Sequence, residues 1–239
     1  MNTDDFKQAL EAFGIRLSDF QMQQFESYYK RLVEVNQQFN LTAITEKQDV
    51  YLKHFYDSLT LAGYVKSLQS EELTLIDVGA GAGFPSLPLK IAFPNLKVTM
   101  IDSLNKRVKF LKEMVQLLGL DGVTVLHGRA EDYGQDSQMR ESFDIATARA
   151  VARTSVLSEY TLPFVKIGGQ LLVMKASTAE AELKDSKGAL KVLGGQLKEQ
   201  FDFDLPNGDP RVIQVIDKVQ KTPKKYPRQA GLPSKKPLH

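Results

Sequence analysis

The 239-residue chain contains no cysteine. Disulfides, cysteine-ligated zinc and a thiolate nucleophile are excluded, and with the last goes the covalent route to carbon-5 of pyrimidines. No apolar run approaches the ~20 residues needed to cross a bilayer. The opening Met-Asn-Thr-Asp-Asp lacks the basic start and apolar stretch of a secretory leader, so a cytoplasmic address with no membrane partner is expected. Net charge is only +2, but acidic residues are missing altogether from 218 to 239. There Lys218, Lys221, Lys224, Lys225, Arg228, Lys235 and Lys236 are broken up by Pro223, Pro227, Pro233 and Pro237. Such a segment suits phosphate contact, with a solvated terminus as the alternative. No metal-ligand set is expected, and a monomer is expected.

What is present reads as one α/β unit with appendages. Residues 1–72 are expected to form a helical extension, 73–219 the core and 220–239 the basic tail. Phe6, Leu10 and Phe13 share a helical face stopped by Gly14, and Phe25, Tyr28, Tyr29 and Leu32 form a second. A third helical segment around 49–61 carries His54, Asp57 and Ser58. Strand patterns then alternate with helical ones: an apolar run ending at Asp77, then 96–101, 123–126, 143–147 and 170–175. The segments 200–205 and 211–219 flank Pro-Asn-Gly-Asp-Pro as a closing antiparallel pair. The alternation predicts a doubly wound, mostly parallel, seven-stranded sheet.

After the first strand comes Asp77-Val-Gly79-Ala-Gly81-Ala-Gly83-Phe84. A strand, a glycine turn and a helix make the nucleotide-binding corner of an open sheet. Phe84 stands where the last glycine of the dinucleotide fingerprint would fall. Asp77 adds negative charge that repels a diphosphate and tolerates a cationic sulfonium or amino group. Asp102, 19 residues beyond Gly83 at the end of the second strand, can accept from ribose hydroxyls. It does not separate NAD from S-adenosyl-L-methionine. Arg129-Ala130-Glu131-Asp132 after the third strand suits an adenine edge. Together these favour S-adenosyl-L-methionine over a nicotinamide dinucleotide.

After the fourth strand the chain reads Asp144-Ile-Ala-Thr-Ala-Arg149-Ala-Val-Ala-Arg153. The Asp or Asn before Pro-Pro and an aromatic residue, usual in enzymes methylating exocyclic amines, is absent. An acceptor that is already nucleophilic, such as guanine N7, needs neither that device nor a cysteine. Orientation alone then lowers the barrier. Arg149 is placed near the reaction, holding the methionine carboxylate or the acceptor, and Arg153 near RNA phosphate.

Seven blocks carry a family resemblance: Asn40-Leu41-Thr42, His54-Phe-Tyr-Asp57-Ser58-Leu59, Asp77–Pro85, His127–Glu131, Thr147–Ala152, Lys225-Tyr226-Pro227-Arg228 and Gly231–Leu238. They span nearly the whole chain. On them the chain closely resembles the bacterial 16S ribosomal RNA guanine-N7 methyltransferases, also called glucose-inhibited division protein B. The resemblance implies a class I, Rossmann-like methyltransferase core acting on one guanine of the small ribosomal subunit. It also implies cofactor contacts at Gly79, Phe84, Ala130, Glu131 and Arg149, beside Asp77, Gly81, Gly83 and Asp102. His54, Asp57 and Arg149 are then the catalytic candidates. One reading has Asp57 accept from the Watson–Crick edge of guanine and leave N7 free. Arg153, Lys224, Lys225, Tyr226, Arg228, Lys235 and Lys236 are the candidate RNA contacts, since cations beside a stackable ring suit single-stranded RNA. The chain departs from the family at Ser86, where glycine is frequent, and at Lys175-Ala176-Ser177, where Lys-Gly is common. The rival readings are a methyltransferase acting on a small molecule or protein and a catalytically silent RNA-binding assembly factor.

Overall fold

The computed structural model of the chain describes residues 1–149, 153–176 and 179–238, with backbone alone for 179–185. The motif positions 150–152 and Ser177 lie outside the described residues. Helix α1 (Thr3–Glu11) starts where Asn2 Oδ1 accepts from the amides of Asp4 and Asp5, both at 2.9 Å. It stops before Gly14, whose φ of 74° ends a helix at little cost. Helix α2 (Asp19–Asn36) opens with a capping box between Ser18 and Gln21. Its buried Phe25, Tyr28, Leu32 and Val35 fall at three- and four-residue spacing and form one stripe. The remaining helices before the sheet are α3 (Lys47–Val50), a π-helical turn at Tyr51–Tyr56, α4 (Asp57–Tyr64) and α5 (Ser67–Ser70).

The sheet then builds in the expected alternation. Its elements are β1 (Thr74–Val78), α6 (Ser86–Ala92), β2 (Lys97–Asp102), α7 (Asn105–Leu117), β3 (Val123–His127), α8 (Ala130–Tyr133), β4 (Phe143–Arg149) and α9 (Thr154–Thr161). After them come β5 (Val165–Lys175), α10 (Ala179–Leu193), β6 (Gly195–Asp204) and β7 (Pro210–Lys218), followed in the tail by α11 (Leu232–Lys235). The seven strands lie in the order β3-β2-β1-β4-β5-β7-β6. All pairs are parallel except those of β7 with β5 and with β6. This doubly wound order reverses at β1 and β4, which puts the ligand crevice at the carboxyl ends of those strands. β5 begins earlier than its expected start at 170, because it pairs Val165 with Phe143 before a register shift near Gly168-Gly169.

Successive residues of β1 point to opposite faces, so the central strand is apolar on both. Leu75 belongs to the core that also takes in α1, α2, α4, α6 and α7, whereas Ile76 belongs to a second core with residues of α9 and the tail residue Tyr226. The N-terminal helices thus share one core with the sheet.

The tail folds back over the second face. Arg140 donates to the carbonyls of Gly134, Tyr226 and Thr222, each at 2.7 Å, and of Pro223 at 3.1 Å. Buried Lys218 donates to Leu162 O, Val165 O and Thr222 Oγ1 at 2.6–3.0 Å. Arg140→Gln should therefore free the tail and cost about 2 kcal/mol or more, as hydrogen bonds from a charged donor are lost. Trypsin cleavage at 221–225 should accelerate, and an unchanged rate would show that the tail is held elsewhere.

Candidate active site

The glycine loop leaves β1 and is tied down from below. The amides of Gly79 and Ala80 donate to Ile101 O at 2.8 and 3.1 Å, and Gly83 N donates to Ala80 O at 2.7 Å. Asp102 is buried and uses both oxygens: Oδ2 accepts from Gly81 N at 2.9 Å and Oδ1 from Leu104 N at 2.8 Å. It orders the loop and the start of α7 together. From the other side Tyr28 of α2 donates its hydroxyl to Ala82 O and stacks on Phe84, with ring centres 5.5 Å apart.

A cavity of about 400 Å³ lies on this loop, lined among others by Thr42, His54, Gly79, Gly81, Phe84, Asp102 and Arg149. A smaller one of about 170 Å³ shares Gly79, Asp102 and Ser103 with it and is walled by Ala130, Glu131 and Tyr160. A methyl group built on Gly81 would meet only Gly79 O, at 3.8 Å, so the loop is open to a ligand there. An elongated crevice with Asp102 at its waist and Glu131 at one end fits a nucleoside carrying an amino-acid arm. S-adenosyl-L-methionine has that form.

Asp77 lies fully buried at the foot of the loop. The Ser86 hydroxyl donates to its Oδ2 at 2.6 Å, and Oδ1 has no partner. The family departure at Ser86 thus supplies a hydrogen bond to a loop carboxyl. Burial pushes Asp77 up to about 7, against the pull of Ser86 and Arg149. Folded protein therefore binds a proton between roughly pH 4 and 7 that the unfolded chain has lost, and stability falls as pH rises through that window. Asp77→Asn should flatten this slope and raise Tm at pH 8. Parallel Tm-against-pH curves for the two proteins would contradict it.

The second half of the site grows from the π-helical turn. Asp57 N donates to Leu52 O, five residues back, as well as to His54 O. Such a bulge re-aims side chains and is frequent at functional sites. Here His54 and Asp57 both reach a cavity of about 440 Å³ that Ile44, Arg149, Lys175, Phe203, Arg211 and Ile213 help to line. His54 and Asp57 do not bond each other; Arg149 joins them. Its NH2 donates to His54 Nδ1 at 2.9 Å and its NH1 to Lys53 O at 3.1 Å, while NH1 lies 3.5 Å from Asp57 Oδ2. Arg211 Nε donates to the same Oδ2 at 3.1 Å, and Asp57 Oδ1 is buried without a partner. The His54 ring stacks on Phe84 at 4.4 Å, and the Arg149 guanidinium sits 4.9 Å from the centre of that ring. Burial, reinforced by the Arg149 charge, drives His54 down to about 3, so it is a neutral imidazole at physiological pH. His54 and Arg149 line both large cavities and form the wall between them.

Three members of this arrangement escaped the sequence reading as site residues. Arg211 lies at the start of β7, between β5 and the edge strand β6, Tyr28 sits in an aromatic stripe, and Thr42 lies in a loop; only Thr42 belongs to one of the seven blocks. The candidate RNA contacts divide in two. Arg153, Lys224, Lys225, Lys235 and Lys236 are exposed. Tyr226 and Arg228 are instead turned inward. Tyr226 is 7% exposed within the second core, so its ring is not free to stack on a base. Arg228 donates from its backbone N, Nε and NH2 to the buried carboxylate of Glu159 at 2.6–3.2 Å. A carboxylate that is 1% exposed needs such a cation, which is the physical reason for the inward turn.

Among the described residues no helix is long and apolar enough to cross a membrane, and no acidic or histidine cluster suits a metal ion. The fold is similar to that of M. jannaschii TYW2 in complex with AdoMet, with a TM-score of 0.56 at 18% identity over 74% of this chain and 80% of that one. It is also similar to TrmN from Thermus thermophilus, with a TM-score of 0.51 at 16% identity over 69% of this chain and 49% of that one. In sequence the chain is 66% identical to the ribosomal RNA small subunit methyltransferase G of Leuconostoc mesenteroides, over the full length of both. The proteins of the same name from Lactococcus lactis and Streptococcus uberis are 57% and 55% identical, again over full length. Residues 21–204 match the GidB family, and the chain belongs to that family of rRNA small subunit methyltransferase G.

Proposed function

We propose that the protein transfers a methyl group from S-adenosyl-L-methionine to N7 of one guanine in 16S ribosomal RNA, as a monomer in the cytoplasm. It is an rRNA methyltransferase, and S-adenosyl-L-methionine is its methyl donor. The observation that carries the guanine reading is the shared wall: a nucleoside-shaped crevice and a separate base-sized cavity meet at His54 and Arg149.

Bound at the loop, the cofactor supplies an electrophilic methyl group on a cationic sulfur. Asp102 and Glu131 would hold its nucleoside, and the Gly79–Gly83 turn its amino-acid arm. The acceptor N7 already carries a lone pair, so no side chain must remove a proton. A neutral His54 held between Thr42, Phe84 and Arg149 is suited to shape, not to proton transfer. The residues' task is orientation, which can supply ~7–11 kcal/mol at its ideal limit. The apolar sides of the second cavity accept a purine, and the Asp57–Arg211 pair faces its Watson–Crick edge with an acceptor beside a donor. Guanine offers N1–H and O6 to that pair, which leaves the lone pair of N7, on the adjoining Hoogsteen edge, free. Adenine would set donor against donor and acceptor against acceptor. The exposed cations Arg153, Lys224, Lys225, Lys235 and Lys236 would meet RNA phosphate.

Tritiated S-adenosyl-L-methionine and 30S subunits from a strain lacking this gene test the proposal directly. Label is expected as 7-methylguanosine at a single site. Label on another base or atom, or none in RNA despite cofactor binding, would refute it. Asp57→Asn replaces one acceptor with a donor and should lower kcat/KM for the subunits ~10–100-fold, the worth of one good base-edge pair. Unchanged methylation by that variant would remove Asp57 from base recognition.

A further inference from the structure

Thr42 closes the Asn40-Leu41-Thr42 block, and methyl transfer to N7 gives its hydroxyl no task. Its surroundings restrict that hydroxyl to one. Thr42 Oγ1 lies 3.0 Å from the amide of Ile44, which donates to it, and 2.8 Å from His54 Nε2. The second contact depends on which imidazole nitrogen carries the proton. Arg149 NH2 stands 2.9 Å from Nδ1, and a guanidinium nitrogen can only donate. Nδ1 must therefore present its lone pair. Lys53 O, 3.1 Å from the same Nδ1, is supplied by Arg149 NH1 and makes no demand on the ring. The proton of the neutral ring is consequently on Nε2, and it is donated to Thr42.

Thr42 Oγ1 thus accepts twice, from Ile44 N and from His54 Nε2. A hydroxyl oxygen has two lone pairs, so both are engaged and only its own proton remains to be placed. No described residue accepts that proton. Thr42 lines the cavity on the glycine loop, beside Leu41, Gly81 and Ala82. The acceptor must come from whatever occupies that cavity.

We propose that the Thr42 hydroxyl donates a hydrogen bond to the carboxylate of the cofactor's methionine arm, its direction set by His54 and Arg149. The inference rests on reading the loop cavity as the cofactor's. The adenine end is the walled cavity of Ala130, Glu131 and Tyr160, on the other side of Asp102, so the amino-acid arm extends toward Thr42. Arg149 then acts on the cofactor at one remove. Besides lining the cavity, it fixes the tautomer of His54, and the tautomer fixes the donor.

Calorimetry with two ligands separates this role from a merely structural one. S-adenosylhomocysteine carries the amino-acid arm, and 5′-methylthioadenosine lacks it. Thr42→Val keeps the shape and removes the proton together with the oxygen that accepts from Ile44 N and His54 Nε2; its affinity for S-adenosylhomocysteine should fall ~10–100-fold, as for one hydrogen bond to a charged group. Its affinity for 5′-methylthioadenosine should stay within about twofold, and Thr42→Ser should restore S-adenosylhomocysteine binding. Equal weakening of both ligands, or undiminished S-adenosylhomocysteine binding by Thr42→Val, would overturn the assignment while the cofactor site stands. Failure of the unaltered protein to bind either ligand would overturn the site itself and the assignment with it.

Discussion

A Gly81→Val protein should fold, melt roughly 2–8 °C below the unaltered protein, and lose S-adenosylhomocysteine binding by ~100-fold or more. The expectation follows from what surrounds each loop glycine. At Gly81 a Cβ meets nothing nearer than 3.8 Å, so the folded chain has room for a side chain. The room it has is the ligand's. The cost to folding is the backbone, since φ is +61° and an L-residue there loses about 1–2 kcal/mol. For a chain of this size that is a shift of roughly 2–8 °C. Gly83 should behave oppositely. Its φ is +96°, and a Cβ would lie 2.8 Å from both Leu87 Cγ and the Tyr28 hydroxyl. Gly83→Ala should thus destabilise the fold by more than the backbone cost alone, because Tyr28 is held in place by Ala82 O and Phe84. Melting curves and calorimetric titrations on the two variants decide the matter. A Gly81→Val protein that binds tightly would show that the cofactor does not approach this loop.

The contrast shows which parts of the molecule are legible in the chain. Glycine spacing, Asp77, Asp102 and Ala130-Glu131 are local signals: each acts within a strand and the turn that follows it, and the structure places all of them around one crevice or directly beneath it. The alternation of apolar runs likewise carried the sheet, including its antiparallel end. What did not show depends on contacts between distant segments. The π-helical turn has no composition of its own; residues 51–56 simply read as helix. Arg211 lies 154 residues from Asp57, and only the position of β7 in the sheet brings them together. The inward turn of Tyr226 and Arg228 did not show for the same reason. Within a basic segment they look like RNA contacts, but Glu159, 69 residues before Arg228, is buried on α9 and requires a cation. Lys224, Lys225, Lys235 and Lys236 have no such partner among the described residues and remain outside.

Arg149→Met should produce the largest catalytic loss in the molecule, and the reason is that one guanidinium serves both cavities. It donates to His54 Nδ1 and Lys53 O, lies beside Asp57 Oδ2 and rests on Phe84. Removing one partner of a buried pair costs up to ~3–5 kcal/mol, here reduced because Arg211 still holds Asp57. The wall between donor and acceptor then loosens, and misplacement of about 1 Å at that wall is worth ~100-fold in rate. Arg149→Lys should recover stability more than activity, since a single ammonium cannot span three acceptors and a ring face as a planar fork does. The same substitution reports on Thr42. Without a donor at Nδ1, the His54 proton is free to move to Nδ1 and bond Lys53 O, leaving Nε2 as an acceptor. The Thr42 hydroxyl would then turn to Nε2 and be withdrawn from the cavity. Arg149→Met should therefore weaken S-adenosylhomocysteine and spare 5′-methylthioadenosine, as Thr42→Val does. The double variant should bind S-adenosylhomocysteine no worse than either single one, because both remove the same hydrogen bond. Additive losses would mean that Arg149 contacts the cofactor by itself.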